Sequence, residues 1–265
     1  MEALKLASCM AENTESFCRA MAIYIQHKLG IRVEYVDAVT WQQRQRLFDA
    51  GRIHLLWLCG LPYIDRVDVP DSGIELLAVP VPAACRYQDR PIYFSDIVVR
   101  RDSHFKNFAD LRGTTWVYNE ARSHSGYNVV RAYLAAFGEK HGFFSQILES
   151  GAHTASLAMV LTRQGDVSAI DSTVLEWAMT GQPDLERQLR IVETIGPSPI
   201  PPWVVSKQVA ANLRADLRDL FIGMHKGKAG RSVLRRGHMA RFVLSHDRDY
   251  DPIRRMAQSA EQVLF

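Results

Sequence analysis

The chain has 265 residues, 47% hydrophobic and 23% charged, with 32 Lys and Arg against 29 Asp and Glu, a formal net charge of +3. This is the balance of a globular protein of one or two domains, each large enough to bury a core without disulfide staples. The four cysteines, Cys9, Cys18, Cys59 and Cys85, form no C-x-x-C pair, so neither a zinc site nor a redox motif is read from them.

The absence of any long Lys or Arg run argues against a nucleic-acid partner. No stretch of about 20 uncharged apolar residues is available to span a bilayer. The start, Met1 to Leu6, lacks the basic and apolar regions of a secretory signal. A cytosolic chain and an exported chain whose signal has been trimmed both fit.

In chain order, Leu4 to Ser8 reads as a strand, and Thr14 to Leu29 as a helix with Phe17, Met21, Tyr24 and Ile25 on one face and Gly30 at its stop. Thr40 and Gln43 form a capping box that opens the next helix, which Gly51 ends. His54 to Cys59, Ile74 to Val79 and Pro91 to Arg100 follow as strands, then a short helical turn over Asn107 to Gly113 and a strand over Thr114 to Tyr118. Helices are expected at about Gly126 to Phe137 and Thr154 to Arg163, the second feeding a strand at Val167 to Ile170, with a further helix from Ser172-Thr173 and a strand at Leu189 to Val192.

Gly196 to Pro202, with four prolines, reads as a linker that interrupts regular structure. Beyond it come a strand at Trp203 to Ser206, a helix carrying Leu213, Leu217, Leu220, Phe221 and Met224, a basic turn region at Lys226 to Arg236, and a last helix from Asp251. Such alternation implies an α/β protein with a largely parallel sheet covered on both faces, whose ligands sit at the carboxyl ends of strands.

The segment Tyr118 to Tyr127 is the most informative. A strand ends, and a Ser-rich turn with Ser123, Ser125 and Gly126 opens a helix, so hydroxyls and unpaired N–H groups converge where the helix dipole is positive. Gly126 would let an oxyanion approach the backbone closely. Ser125 equally fits a plain N-cap. His153, after Ser150-Gly151-Ala152, and Asp171, before Ser172-Thr173, lie at two more strand-to-helix junctions and also fit capping roles. Tyr63 and Tyr93 could close a pocket with a phenol donor, or be core or rim aromatics.

Five stretches taken together carry a resemblance: Tyr93 to Ser103, Asp110 to Gly113, Ser123 to Tyr127, Gly151 to His153, and Gly165 to Asp171. Their order and spacing, over about residues 54 to 206, resemble the phosphate, phosphite and phosphonate binding proteins of ABC transporters. The resemblance implies a type II periplasmic-binding-protein fold: two α/β lobes joined by crossing strands, with a ligand cleft between them. Lobe 1 is expected from 1–94 plus 199–265, and lobe 2 from 95–198.

It also implies a substrate-binding component that closes on a small oxyanion (phosphonate, phosphite or phosphate), works with ABC permease subunits, and is a periplasmic or membrane-associated monomer. Carried over position by position, its ligand-binding residues are Tyr63, Tyr93, Ser123, Ser125, the backbone near Gly126, and His153, with Asp171 facing the ligand's far end or its acidic proton. His124 stands where the family usually has Thr. Its imidazole either strengthens anion binding when protonated or reshapes the pocket.

Two other readings compete: a cytosolic ligand-sensing domain of the same fold, and an enzyme using Ser123 or Ser125 with His153 and Asp171. The enzyme lacks a G-x-S-x-G elbow. No zincin pattern, Walker A ending or G-x-G-x-x-G after a strand occurs, so neither a metal nor a cofactor is expected.

Overall fold

The computed structural model describes residues 2–264. Its elements in chain order are β1 (Leu4–Ser8), α1 (Glu15–Leu29), β2 (Val33–Tyr35), α2 (Trp41–Asp49), β3 (Leu55–Trp57), α3 (Gly60–Val67), β4 (Ile74–Pro82) and β5 (Ile92–Arg100). Next come β6 (Thr115–Tyr118), a π-turn (His124–Asn128) continuing into α4 (Val129–Ala136), β7 (Gln146–Glu149), α5 (His153–Leu161), β8 (Val167–Asp171), α6 (Ser172–Gly181), α7 (Leu185–Gln188) and β9 (Leu189–Pro199). The chain closes with β10 (Trp203–Ser206), α8 (Ala211–Gly223), α9 (Lys228–Arg236), β11 (Met239–Val243) and α10 (Asp251–Ala260).

The chain divides into two compact units, Met1–Ile92 with Pro199–Tyr250, and Tyr93–Ser198 with Asp251–Phe265. The first holds a six-stranded sheet in the order β11-β4-β10-β3-β1-β2. Leu4 pairs with Val33 and Leu6 with Leu55 in parallel, whereas Trp203 pairs with Trp57 antiparallel, so the sheet is mixed and not largely parallel. Its core sets Phe17, Met21 and Ile25 of α1 against Leu6, Leu55, Trp203, Phe221 and Phe242. These α1 residues recur at the spacing of one helical face, which explains why that helix was legible from its pattern. Gly30, at φ 65°, ends it in the left-handed conformation that glycine adopts without a Cβ clash.

The second unit holds a five-stranded sheet, β7-β6-β8-β5-β9. β6 runs parallel to β7 and β8, while β5 is antiparallel to β8 with Ser95 opposite Asp171. Trp116, Val99, Val167, Ala169, Val130 and Leu134 form the centre of its core. Because β5 runs against β8, the start of β5 and the ends of β6 and β8 share one sheet edge, and the functional side chains gather there.

Several expectations are corrected. The last helix, α10, packs on α4 and belongs to the second unit, not to a lobe built from 199–265. The run from Gly196 to Pro202, expected as a linker free of regular structure, holds the boundary between the units after Ser198, but its first part, to Pro199, continues β9. An edge strand accommodates prolines because one side of it needs no ladder donors, and β9 is such an edge. Gly60-Leu61-Pro62-Tyr63 forms the first turn of α3, where a proline's missing N–H costs nothing. The basic turn region is largely helix α9, with only Gly230, Val233 and Leu234 buried among its cations.

Candidate anion-binding site

The site begins where β6 ends. After Tyr118 the chain turns through Asn119 to Arg122 into the π-turn, whose wide ladder starts with the Asn128 N–H donating to the Ser123 carbonyl (3.0 Å). The N–H groups of residues 124–127 therefore lie ahead of the ladder. One of them is answered locally: Gly126 N–H donates to Ser123 Oγ at 3.0 Å. Ser123, His124, Ser125 and Gly126 are all buried. A run of polar groups is thus held inside the protein at the positive end of a helix.

Ser125 Oγ lies 3.3 Å from His153 Nε2. His153 is the first residue of α5, placed by the turn after β7, and it is buried. Burial pushes its imidazole down to about 4, with the Ala169 carbonyl acting the other way, so the ring is neutral at pH 7. The buried Asn119 Oδ1 nearby has no hydrogen-bond partner. A buried polar atom without a partner beside a pair of buried serines is costly in the folded chain.

Gly126 stands in close packing. A Cβ at this position would overlap Asn119 Oδ1 and meet His153 Cε1 at 3.0 Å. The missing side chain makes room for these two neighbours.

His124 is fully buried, and both its ring nitrogens are engaged. Nδ1 lies 3.2 Å from Asn128 Nδ2, and Nε2 lies 3.0 Å from Ser198 Oγ. Burial holds its pKa at about 4, which removes the expected strengthening of anion binding by a protonated imidazole. Tyr93, at the start of β5, packs its ring 6.5 Å from that of His124.

Asp171 ends β8 and caps α6: its Oδ1 accepts from Thr173 N–H at 2.8 Å and from Thr173 Oγ1 at 2.7 Å. Burial raises its carboxyl to about 6 despite these donors, with the charge of Asp96 adding to the rise. Ser123, His124, Ser125, Gly126, Tyr93, His153 and Asp171 thus all belong to the second unit. Tyr63 belongs to the first, where its hydroxyl donates to Asp247 at 3.0 Å and its ring stacks obliquely on Tyr250.

A nucleophilic triad is not assembled among these groups, since the buried His153 Nδ1 has no carboxylate partner and Asp171 is occupied as a cap. Among the described residues no cluster of His, Cys, Asp and Glu is placed to hold a metal ion. Sequence reasoning missed Asn119, Asn128 and Ser198. Asn119 stood in the very segment singled out, whereas Ser198 lay in the proline run dismissed as a linker.

Solved structures place the fold in a class. The chain superposes on the binding protein component of a Pseudomonas aeruginosa ABC phosphonate transporter with a TM-score of 0.84, at 20% identity, covering 98% of this chain and 86% of that one. It superposes on a Prochlorococcus marinus protein solved in complex with methylphosphonate with a TM-score of 0.85, at 16% identity and 99% coverage of both. The aliphatic sulphonate binding protein of Escherichia coli is more distant, with a TM-score of 0.63 at 14% identity, over 98% of this chain and 86% of that one. The fold is that of the type II periplasmic binding proteins.

The family follows from sequence. The family model described as "ABC transporter, phosphonate, periplasmic substrate-binding protein" matches residues 9–250, and the chain belongs to that family. It is 24% identical over 238 residues to the phosphonates-binding periplasmic protein of Escherichia coli, covering 88% of this chain and 68% of the relative. The family's role is to bind substrate for an ABC transporter.

Proposed function

We propose that this chain binds a small phosphonate in the periplasm and delivers it, as a monomer, to ABC permease subunits. The observation that carries the reading is the buried pair Ser125 and His153 at the start of the helix that Ser123 opens. No helix among the described residues is long and apolar enough to cross a membrane, which suits a carrier that meets its permease from outside the bilayer.

A phosphonate head presents three oxygens and up to two negative charges. The polar groups at this helix start are hydroxyls, N–H groups and neutral imidazoles, and none is cationic at pH 7. Neutral donors suffice because hydrogen bonds strengthen in a buried, low-dielectric site and the helix terminus adds its own positive potential. Such donors discriminate by geometry, which favours a tetrahedral head over a planar carboxylate. Phosphite and phosphate share that head and are the natural competitors.

Calorimetric titration with methylphosphonate, phosphite, phosphate and sulfate tests the reading. Methylphosphonate is expected to bind, and Ser125→Ala and His153→Ala are each expected to weaken it at least tenfold, the loss of one hydrogen bond to a charged group. Unchanged affinity in both variants would sink the site assignment.

A further inference from the structure

His124 occupies the centre of a buried chain of three side chains on two elements. Asn128 Nδ2, on the next turn, lies 3.2 Å from its Nδ1, and Ser198 Oγ, near the end of β9, lies 3.0 Å from its Nε2. An amide nitrogen has only hydrogens to offer, so His124 Nδ1 accepts. The single proton of the neutral ring is then on Nε2 and is donated to Ser198 Oγ.

In this tautomer the Ser198 hydroxyl oxygen is the acceptor of the His124 proton. With its oxygen receiving the His124 proton, its own hydrogen is turned outward. Ser198 is 2% exposed, and it makes no second hydrogen bond among the described residues. A buried O–H with no acceptor is costly unless something supplies one. The sheet order β8-β5-β9 puts the end of β9 beside the start of β5, where Tyr93 stands, and Gly196 lies against the Tyr93 carbonyl and the Phe94 ring. Ser198 therefore belongs to the same sheet edge as Tyr93 and Asp171.

We infer that Ser198 is a ligand-binding residue whose hydroxyl hydrogen is aimed at an oxygen of the bound oxyanion, and that His124 is a positioning residue that orients it through the Asn128–His124–Ser198 chain. The inference rests on the phosphonate reading above and extends it. It replaces His124 as a ligand contact with a serine that the ligand would meet. The ligand atom facing Ser198 must be an acceptor, as a phosphonate oxygen is.

The test uses the whole chain and methylphosphonate. Nitrogen-15 NMR should find His124 in the Nε2–H form from pH 6 to 8, a signature that mere packing would not set. In calorimetry, Ser198→Ala should weaken binding about tenfold and Ser198→Thr, which keeps the hydroxyl, should stay within threefold of the original chain. His124→Leu should match Ser198→Ala, while His124→Gln, whose amide can still donate to Ser198, should restore most of the affinity. The double variant His124→Leu with Ser198→Ala should be no weaker than either alone, because both remove one interaction.

A His124 ring protonated on Nδ1, or a Ser198→Ala protein that binds as well as the original, overturns the inference and leaves the phosphonate reading standing. Failure of the unsubstituted chain to bind methylphosphonate, phosphite or phosphate overturns both.

Discussion

Asn119 Oδ1 fills the space that a side chain on residue 126 would need, with His153 Cε1 closing it from another side at 3.0 Å. Gly126→Ala must therefore displace the residues that line the buried helix start. Overpacking of this kind costs about 1–3 kcal/mol. Urea unfolding should show that loss, and calorimetry should show methylphosphonate affinity reduced more than tenfold. An alanine variant with the original midpoint and affinity would show that Asn119 yields without consequence.

Asp171 makes stability depend on pH in a definite direction. Its folded pKa is raised to about 6 from the ordinary 3.8, so the folded state holds its proton more tightly than the unfolded chain does. The contribution is fully present below about pH 3.8 and is lost as pH rises through about 6. Asp171→Asn keeps an oxygen to cap α6 and has no charge to bury. Relative to the original chain, it should gain roughly 3 kcal/mol between pH 4 and pH 7, at about 1.4 kcal/mol for each pKa unit. Urea melts across that range measure the gain, and a constant difference between the two proteins would refute the assignment.

His153 works in the opposite sense. Its folded pKa is lowered to about 4 from 6.5, so the unfolded state binds more protons between those values and stability falls as the solution is acidified from pH 6.5 toward 4. His153→Gln should flatten that part of the profile while weakening methylphosphonate binding at pH 7. A variant that keeps the full acid sensitivity would show that another group is responsible.

Gly230 offers a control far from the anion site in sequence and in the other unit. A Cβ there would run into the Met224 carbonyl in the turn before α9. Because backbone cannot step aside as a side-chain end does, Gly230→Ala should cost about 1–3 kcal/mol of stability. Methylphosphonate affinity of the folded fraction should stay within twofold. A large loss of affinity at constant stability would mean that the first unit contributes more directly than its packing indicates.

Local signals were legible where they were strong. The spacing of Phe17, Met21 and Ile25, the Thr40–Gln43 box, and the alternation of strand and helix all correspond to observed elements, the box with both of its hydrogen bonds formed. The strands Val33–Tyr35, Gln146–Glu149 and Met239–Val243 were not legible. The first two are short and only partly buried, and the third alternates weakly, so none carries the apolar run that marks a central strand. Helix α9 hid among its cations because Val233 and Leu234 supply most of its buried face.

At the site, the Ser123 to Gly126 segment could be named from its position between a strand and a helix, because a hydroxyl-rich helix start has oxyanion chemistry wherever it occurs. What the residues do to one another could not. Gly126 was read as an opening for a ligand, and its missing Cβ also makes room for Asn119. Tyr63 was read either as a phenol donor closing a pocket or as a core or rim aromatic, and in the first unit it is buried with its hydroxyl given to Asp247, 184 residues away along the chain. His124 was read either as strengthening anion binding when protonated or as reshaping the pocket, and burial between two hydrogen-bonded neighbours lowers its pKa to about 4.

By itself, the sequence determined the near-neutral charge, the alternating elements and the family-like order of motifs, since these depend on residues close together in the chain. The tertiary structure decided which polar groups share a buried space. Ser198 reaches His124 across 74 residues, and Ser125 reaches His153 across 28. Protonation and hydrogen-bond direction follow from such distant pairings, because desolvation and partner geometry exist only once the chain has folded. The small net charge of +3 is consistent with that result: an anion site made of hydroxyls, backbone N–H groups and neutral imidazoles requires little positive charge overall.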